Sequence, residues 1–331
     1  EKDFSEIFSK LLSLDNVLAT ENFFDLGGTS LLVTQVVIEA AKRGYTIVFG
    51  DVFANPTPRA LASLFEEGTV PGRTTADKEV EDYDYSRIDE LLKKNTLESF
   101  REGKLLDLGN VLVTGATGYL GMHVLHELLE NTDSRIYCLI RSSGSETVQN
   151  RLSSLMFYYF EKNYREIMGE RLFVLEGDIT IPESFGQFDD KNINTVFNCA
   201  AMVKHFAHDN IIADINVGGA KNVIEFCLKN KAMMVQTSTM SIIEMGFEDM
   251  DHKDFQPTEQ SLYFGQDLSN QYVHSKFLAE RAVLEAVAEN GLTAKIMRYG
   301  NLAPRYSDGE FQANFKTNSA MGELRAYATL G

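Results

Sequence analysis

The sequence predicts an α/β protein: a doubly wound parallel sheet preceded by a small all-helical unit. Three observations predict it. From residue 87 onward, short β-branched runs alternate with helical ones at the spacing of strand–helix–strand crossovers. The first of these strands runs straight into a glycine-spaced turn and then a helix, "NVLVTGATGYLGMHVL". The first 67 residues, by contrast, carry helical periodicity only.

The elements follow in order. Ile7, Phe8, Leu11, Leu12 and Leu14 recur at helical spacing. A second helix starts at Thr29-Ser30 and runs through Val33, Val36, Val37 and Ala40. Lys42 and Arg43 suit the negative end of its dipole, and Gly44 a left-handed cap. In "NPTPRALASLFEE", Thr57 is the expected N-cap and Pro58 the first helical residue. Residues 68–86, "GTVPGRTTADKEVEDYDYS", are small, polar and acidic without periodicity, which predicts a flexible linker. A helix is expected in "RIDELLKKNTLESF". The strands are "NVLVTG", "RIYCLIR", "RLFVLEG", "NTVFNCA", "MMVQTST" and "TAKIMRY", with helices near 119–130, 146–168, 208–230 and 270–290. The domain reading is therefore 1–67, linker 68–86, and 87–331.

Composition narrows the function. The net charge of −17 argues against a nucleic-acid binder, which needs a basic surface. Three separated cysteines, Cys138, Cys199 and Cys227, form neither a disulfide framework nor a zinc pair. His205 and His208 make an HxxH pair without a third ligand at metal spacing, so no metal is expected. No apolar run of membrane-spanning length and no signal-peptide pattern occurs, which predicts a cytoplasmic protein without a membrane partner.

Gly115, Gly118 and Gly121 form GxxGxxG between a strand and a helix. Such a turn lets the backbone approach a pyrophosphate and aims a helix N-terminus at its charge, the Rossmann-type arrangement. Arg141 ends the second strand, where an acid would favour NAD and an arginine accommodates the 2′-phosphate of NADP. NADPH is the expected cofactor; a solvated surface arginine is the alternative.

"YVHSK" sets Tyr272 and Lys276 one turn apart on one helix face. An ammonium beside a phenol lowers its pKa and equips it to exchange a proton near neutral pH. The pattern is common by chance, and Tyr158–Lys162 is a second copy. That copy falls between the second and third strands, away from the expected crevice, and is read as a solvated helix face. Strand five ends in Thr237-Ser238-Thr239, bringing hydroxyls to the carboxyl edge ahead of Tyr272.

From about 110 to 305 the chain resembles the extended short-chain dehydrogenase/reductases. The resemblance implies that Thr239 hydrogen-bonds the substrate oxygen, with Ser238 its rival. It makes Tyr272 the proton donor, while Lys276 holds the nicotinamide ribose and tunes Tyr272. "LIRSS" with Arg151, "GDIT" (Asp178, Ile179), "NCAAMVKHF" (Ala200, Ala201), "LYFGQDLSNQYVHSKFLAE" and "RYGNLAPR" resemble the terminal thioester reductases of non-ribosomal peptide synthetases and carboxylic acid reductases. This implies cofactor contacts from Thr114, Gly115, Thr117, Gly118, Tyr119, Leu120, Gly121, Arg141, Arg151, Asp178, Ile179, Ala200, Ala201, Lys276 and Asn301. "DLGGTSL" resembles the 4′-phosphopantetheine site of a peptidyl carrier domain, with Ser30 the attachment point and Thr29 where His or Asp is usual. An N-cap role for Ser30 is the alternative.

Together these imply reduction of a carrier-bound acyl or peptidyl thioester by NADPH, releasing an aldehyde or, after a second reduction, an alcohol. The implied partners are a phosphopantetheinyl transferase and upstream condensation and adenylation domains. The family carries a further substrate-binding subdomain after "RYGN"; only residues 302–331 follow here, so the chain is expected to lack that end. A carboxylic acid reductase fragment, a nucleotide-sugar epimerase or dehydratase, and a non-catalytic carrier module are the competing readings.

Overall fold

The computed structural model describes residues 1–65, 79–94, 107–144, 146–204, 210–244 and 257–315, with 321, 324, 325, 328 and 329. The N-terminal unit holds α1 (Lys2–Leu12), α2 (Ser30–Lys42), α3 (Phe49–Ala54) and α4 (Pro58–Ser63). Thr29 caps α2 by accepting the Leu32 amide, and Thr57 caps α4 by accepting that of Ala60. Gly44 takes φ +86°, as its place after the last turn of α2 requires. The short α3 has no counterpart among the predicted helices. Its start is fixed by Asp51, whose carboxylate accepts the Val48 amide at 2.7 Å. Phe4, Ile7, Phe8, Phe23, Val33, Val36 and Leu61 form one buried cluster of the unit's own residues.

Of the predicted linker, residues 68–78 lie outside the described residues, and its end needs correction. Val80 is buried with Ile88 and Leu92 of α5 (Ser86–Lys94) against Leu262, Val273 and Phe277. Tyr85 stacks on Tyr263, and the Arg281 guanidinium lies over the Tyr83 ring. A few aromatic and aliphatic side chains within a polar stretch are enough to dock residues 80–86 on the sheet domain. Residues 95–100 of the predicted helix also lie outside the described residues.

The sheet domain runs β1 (Asn110–Thr114), α6 (Tyr119–Asn131), β2 (Ile136–Ile140), α7 (Val148–Phe160), β3 (Leu172–Glu176), β4 (Ile193–Asn198), α8 (Gly219–Asn230), β5 (Met233–Thr239), α9 (Ser241–Glu244), α10 (Gln271–Asn290) and β6 (Ala294–Tyr299). One helical turn (Ile211–Ala213) and a π-helical stretch (Asp214–Gly218) lead into α8. All six strands are parallel, in the order β3-β2-β1-β4-β5-β6, the doubly wound arrangement the sequence predicts. Strand alternation sorts the side chains. Val111, Val113, Cys138 and Ile140 pack with Met122, Leu125, Leu152 and Met156 of α6 and α7. Leu112, Val196 and Met234 pack with Val223, Cys227 and Val283 of α8 and α10 on the other face. The strand order reverses between β1 and β4, which opens a crevice at their carboxyl ends.

Candidate active site

The glycine turn sits at that crevice. Gly115 has φ +68°, and a Cβ there would meet the Ala200 backbone nitrogen at 2.5 Å. A Cβ at Gly121 would collide with the Gly115 carbonyl. β1 and β4 can therefore approach only with glycine at 115, and α6 can start this close to the turn only with glycine at 121. Thr114 is fully buried below the turn. Leu120 and Tyr119 open α6, but the Tyr119 hydroxyl is engaged by a later segment, donating to the carbonyls of Ala303 and Glu310 (3.3 Å each).

Arg151 on α7 donates to the Arg141 carbonyl (3.0 Å) and to Thr117 Oγ1 (3.4 Å). The structure thus gathers Arg141, Arg151 and Thr117 beside the turn. Arg141 itself is 66% exposed, its guanidinium 4.0 Å from Asp178. A cavity of about 550 Å³ is lined by Arg141, Asp178, Thr180, Asp214, Gly218 and Asn222, among others. It lies at this end of the crevice, and Thr239, Tyr272 and Lys276 are not part of its wall. The Asp178 carboxylate accepts the Thr180 amide and hydroxyl, both at 2.9 Å, while Ile179 is buried against Gly219. Ala200 and Ala201 follow β4 at half-buried positions. Asn301 is exposed beyond β6.

At the other end of the crevice, β5 delivers Thr239 and α10 delivers Tyr272 and Lys276. Asn270 caps α10 by accepting the amides of Tyr272 and Val273 at 3.0 and 3.2 Å. Thr239 and Tyr272 share a side-chain hydrogen bond, and Thr239 also donates to Ser241 Oγ at 3.2 Å. Ser238 Oγ is buried without a hydrogen-bond partner among the described residues. Lys276 is 3% exposed and donates to the Thr237 carbonyl at 2.5 Å.

The expected tuning of Tyr272 by Lys276 is not what the structure shows. Burial raises the Tyr272 pKa, opposed only by the Thr239 hydrogen bond. It is Lys276 that moves toward neutrality: burial lowers its pKa to about 8, against the opposing influence of Glu280 and Cys199. One helical turn sets both groups on one face, but a four-carbon side chain can reach back to a strand carbonyl, and this one does.

Tyr158 is 52% exposed and Lys162 pairs with Glu130 on α6, a solvated face as expected for the chance copy of the motif. His205 and His208 lie outside the described residues. Ser30 is the first residue of α2, directly after the Thr29 cap. A Cβ at Gly28 would overlap the Phe23 ring and carbonyl, so the turn ahead of Ser30 needs glycine there.

Several residues of the site escaped sequence reasoning. Asn216, in the π-helical stretch, accepts the Met202 amide at 2.7 Å and donates to the Met202 carbonyl (3.0 Å) and to Ser275 Oγ (2.8 Å). It ties the segment after β4 to the Tyr272 helix. Glu280, fully buried one turn beyond Lys276, pairs with Arg298 of β6 at 2.8 Å. Asn198 and Gln236 lie buried inside the sheet. The available signal was a polar residue at an inward position of a strand or helix.

Comparison with known proteins agrees with this fold. Residues 113–326 match the NAD-binding family described as Male sterility protein, and residues 2–65 match the phosphopantetheine attachment site. A thiolation-reductase di-domain from an archaeal non-ribosomal peptide synthetase is similar over 98% of this chain and 68% of its own, at 41% identity and a TM-score of 0.83. The reductase domain of the aureusimine biosynthetic cluster is similar over 71% of this chain and 61% of its own, at 32% identity and a TM-score of 0.59. A linear gramicidin synthase of Brevibacillus parabrevis is 27% identical over 314 residues, 92% of this chain but 6% of that protein.

Proposed function

The chain belongs to the NAD-binding family described as Male sterility protein, and on that premise we propose that it releases a carrier-bound acyl or peptidyl thioester as an aldehyde at the end of a non-ribosomal peptide assembly line. The observation that carries this reading is the pairing within one chain of a phosphopantetheine attachment domain with a Thr239–Tyr272 hydrogen bond beside a buried Lys276.

The crevice fits a dinucleotide. Gly115 and Gly121 let the turn pack directly against the chain after β4 and against the start of α6, and α6 opens straight after the turn, where a pyrophosphate meets a helix N-terminus. Arg141 and Arg151 fit a 2′-phosphate, Asp178 the adenine amine, and Lys276 the nicotinamide ribose. When bound, NADPH supplies the hydride that reaches the thioester carbonyl carbon. Thr239 and Tyr272 donate hydrogen bonds to the oxygen as negative charge builds on it, where such donors contribute most. Tyr272, its pKa raised by burial, holds its proton until that oxygen takes it. The resulting hemithioacetal breaks its C–S bond; the sulfur leaves as the carrier thiol and the carbon as the aldehyde. Ser30, through its phosphopantetheine arm, keeps the acyl group at high effective concentration, so intrinsic affinity for it can be low. A phosphopantetheinyl transferase and upstream condensation and adenylation domains are the partners this chemistry requires.

Among the described residues no helix is long and apolar enough to cross a membrane. The reading is tested by loading Ser30 from an acyl-coenzyme A with a phosphopantetheinyl transferase, adding NADPH, and following both intact mass and aldehyde. Loss of the acyl mass with one equivalent of aldehyde supports it. A loaded carrier that stays acylated while NADPH remains bound refutes it.

A further inference from the structure

Three polar side chains lie in register across the core of the sheet. Thr114, Asn198 and Gln236 are 0%, 1% and 1% exposed and are Cα partners on β1, β4 and β5. They stand one layer toward the carboxyl edge from the apolar row Leu112, Val196, Met234, on the α8/α10 face of the sheet. Thr114 Oγ1 donates to Asn198 Oδ1 (2.6 Å), Asn198 Nδ2 to Gln236 Oε1 (2.8 Å), and Gln236 Nε2 to the Thr237 carbonyl (3.0 Å). Thr237 Oγ1 donates to the Asn198 carbonyl at 2.9 Å, closing the set.

Buried amides are costly unless satisfied, and here each is satisfied by the next. The ladder ends on the one carbonyl that also receives Lys276 Nζ, at 2.5 Å. A carbonyl oxygen has two lone pairs. Gln236 takes one and Lys276 the other, so the Thr237 peptide is restrained from both sides.

We propose that Gln236, oriented by Asn198 and Thr114, is a positioning residue for Lys276. It holds the Thr237 carbonyl at the angle that seats the ammonium, and so sets where Lys276 meets the ribose of the cofactor. The inference rests on the ribose role proposed for Lys276. The ladder starts at Thr114, the residue before Gly115, so a single hydrogen-bonded chain links the pyrophosphate turn to the ribose contact.

A double-mutant cycle tests it, with NADPH affinity read by fluorescence and folding by thermal unfolding. Gln236→Leu weakens NADPH binding by about three- to tenfold, the scale of one lost neutral hydrogen bond. Lys276→Met weakens it at least as much, and the double variant binds no worse than Lys276→Met alone. The pH profile adds a readout that a scaffold role would not move. The groups facing Lys276 are Glu280, with Arg298 behind it, Cys199 at the end of β4, and Tyr272 one turn earlier. Wild-type affinity falls as pH rises through about 8, and in Gln236→Leu the fall moves to lower pH because the Thr237 carbonyl that accepts from the ammonium is no longer held in place. Equal losses in both backgrounds with an unmoved profile overturn the proposal, as does an unchanged affinity in Gln236→Leu. An unchanged affinity in Lys276→Met removes the ribose role of Lys276, and the proposal with it. Should Gln236→Leu fail to fold because Asn198 is left unpaired, the paired Asn198→Val, Gln236→Leu replaces both amides by apolar groups, and the same cycle is read on it.

Discussion

Replacing Arg141 by alanine separates the two nicotinamide cofactors in a way the geometry makes quantitative. A guanidinium on a phosphate forms charge-assisted hydrogen bonds worth about 1.5–3 kcal/mol. Arg141 belongs at the lower end, because its side chain is 66% exposed and solvent screens its charge. Its distance of 4.0 Å from Asp178 is too long for a firm ion pair, so little is lost when it turns to a phosphate. About 1.5 kcal/mol corresponds to about tenfold in affinity. Arg141→Ala is therefore expected to weaken NADPH about tenfold and leave NADH unchanged, with the NADPH loss shrinking at high salt. Arg151→Ala differs, because Arg151 also holds the Arg141 carbonyl and Thr117. It should weaken both cofactors, NADPH more. Fluorescence titration of both cofactors against the wild type and both variants measures this. An unchanged NADPH-to-NADH ratio in Arg141→Ala, or an equal loss of both, refutes the assignment.

Three further outcomes are expected. Ser30→Ala abolishes the mass gain from a phosphopantetheinyl transferase with coenzyme A and leaves NADPH affinity unchanged; a parallel loss of affinity would contradict the separation of the two sites. Tyr272→Phe slows single-turnover NADPH oxidation on an acyl-loaded carrier by about 10²–10⁴-fold with cofactor binding preserved, whereas Tyr158→Phe has no effect; the reverse pattern would put the catalytic helix at α7. Aldehyde formation declines as pH rises through about 8, since Lys276 is charged below its lowered pKa and neutral above it, and Lys276→Met removes that limb; a limb that persists in the variant belongs to another group.

Much of the site was legible because its residues act through local rules. Gly115, Gly118 and Gly121 announce themselves by strand–turn–helix context, and Thr57-Pro58 by capping chemistry, whereas the cap ahead of α2 is Thr29 and not the alternative Ser30. Arg141 stands at a strand end, a position the parallel topology makes meaningful. Tyr272 and Tyr158 carry different expectations because the two follow different strands. The docking of residues 80–86 was less legible, since Val80, Tyr83 and Tyr85 sit among acids and show no period. Nor could the spacing of Tyr272 and Lys276 tell which of several acceptors the lysine reaches.

The sequence by itself determined the two-part architecture, the strand and helix order, the glycine turn, and the identity of Ser30, Thr239, Tyr272 and Lys276 as candidates. Periodicity, capping and turn chemistry act between residues a few positions apart, and a single chain displays them. Only the tertiary structure decided that Lys276 docks on Thr237 rather than tuning Tyr272, that Arg151 braces Arg141 and Thr117, and that Thr114, Asn198 and Gln236 join across three strands. Those contacts depend on strand register and on burial. Thr114 and Asn198 are 84 positions apart, and it is their alignment on adjacent strands that brings the Thr114 hydroxyl to the Asn198 amide.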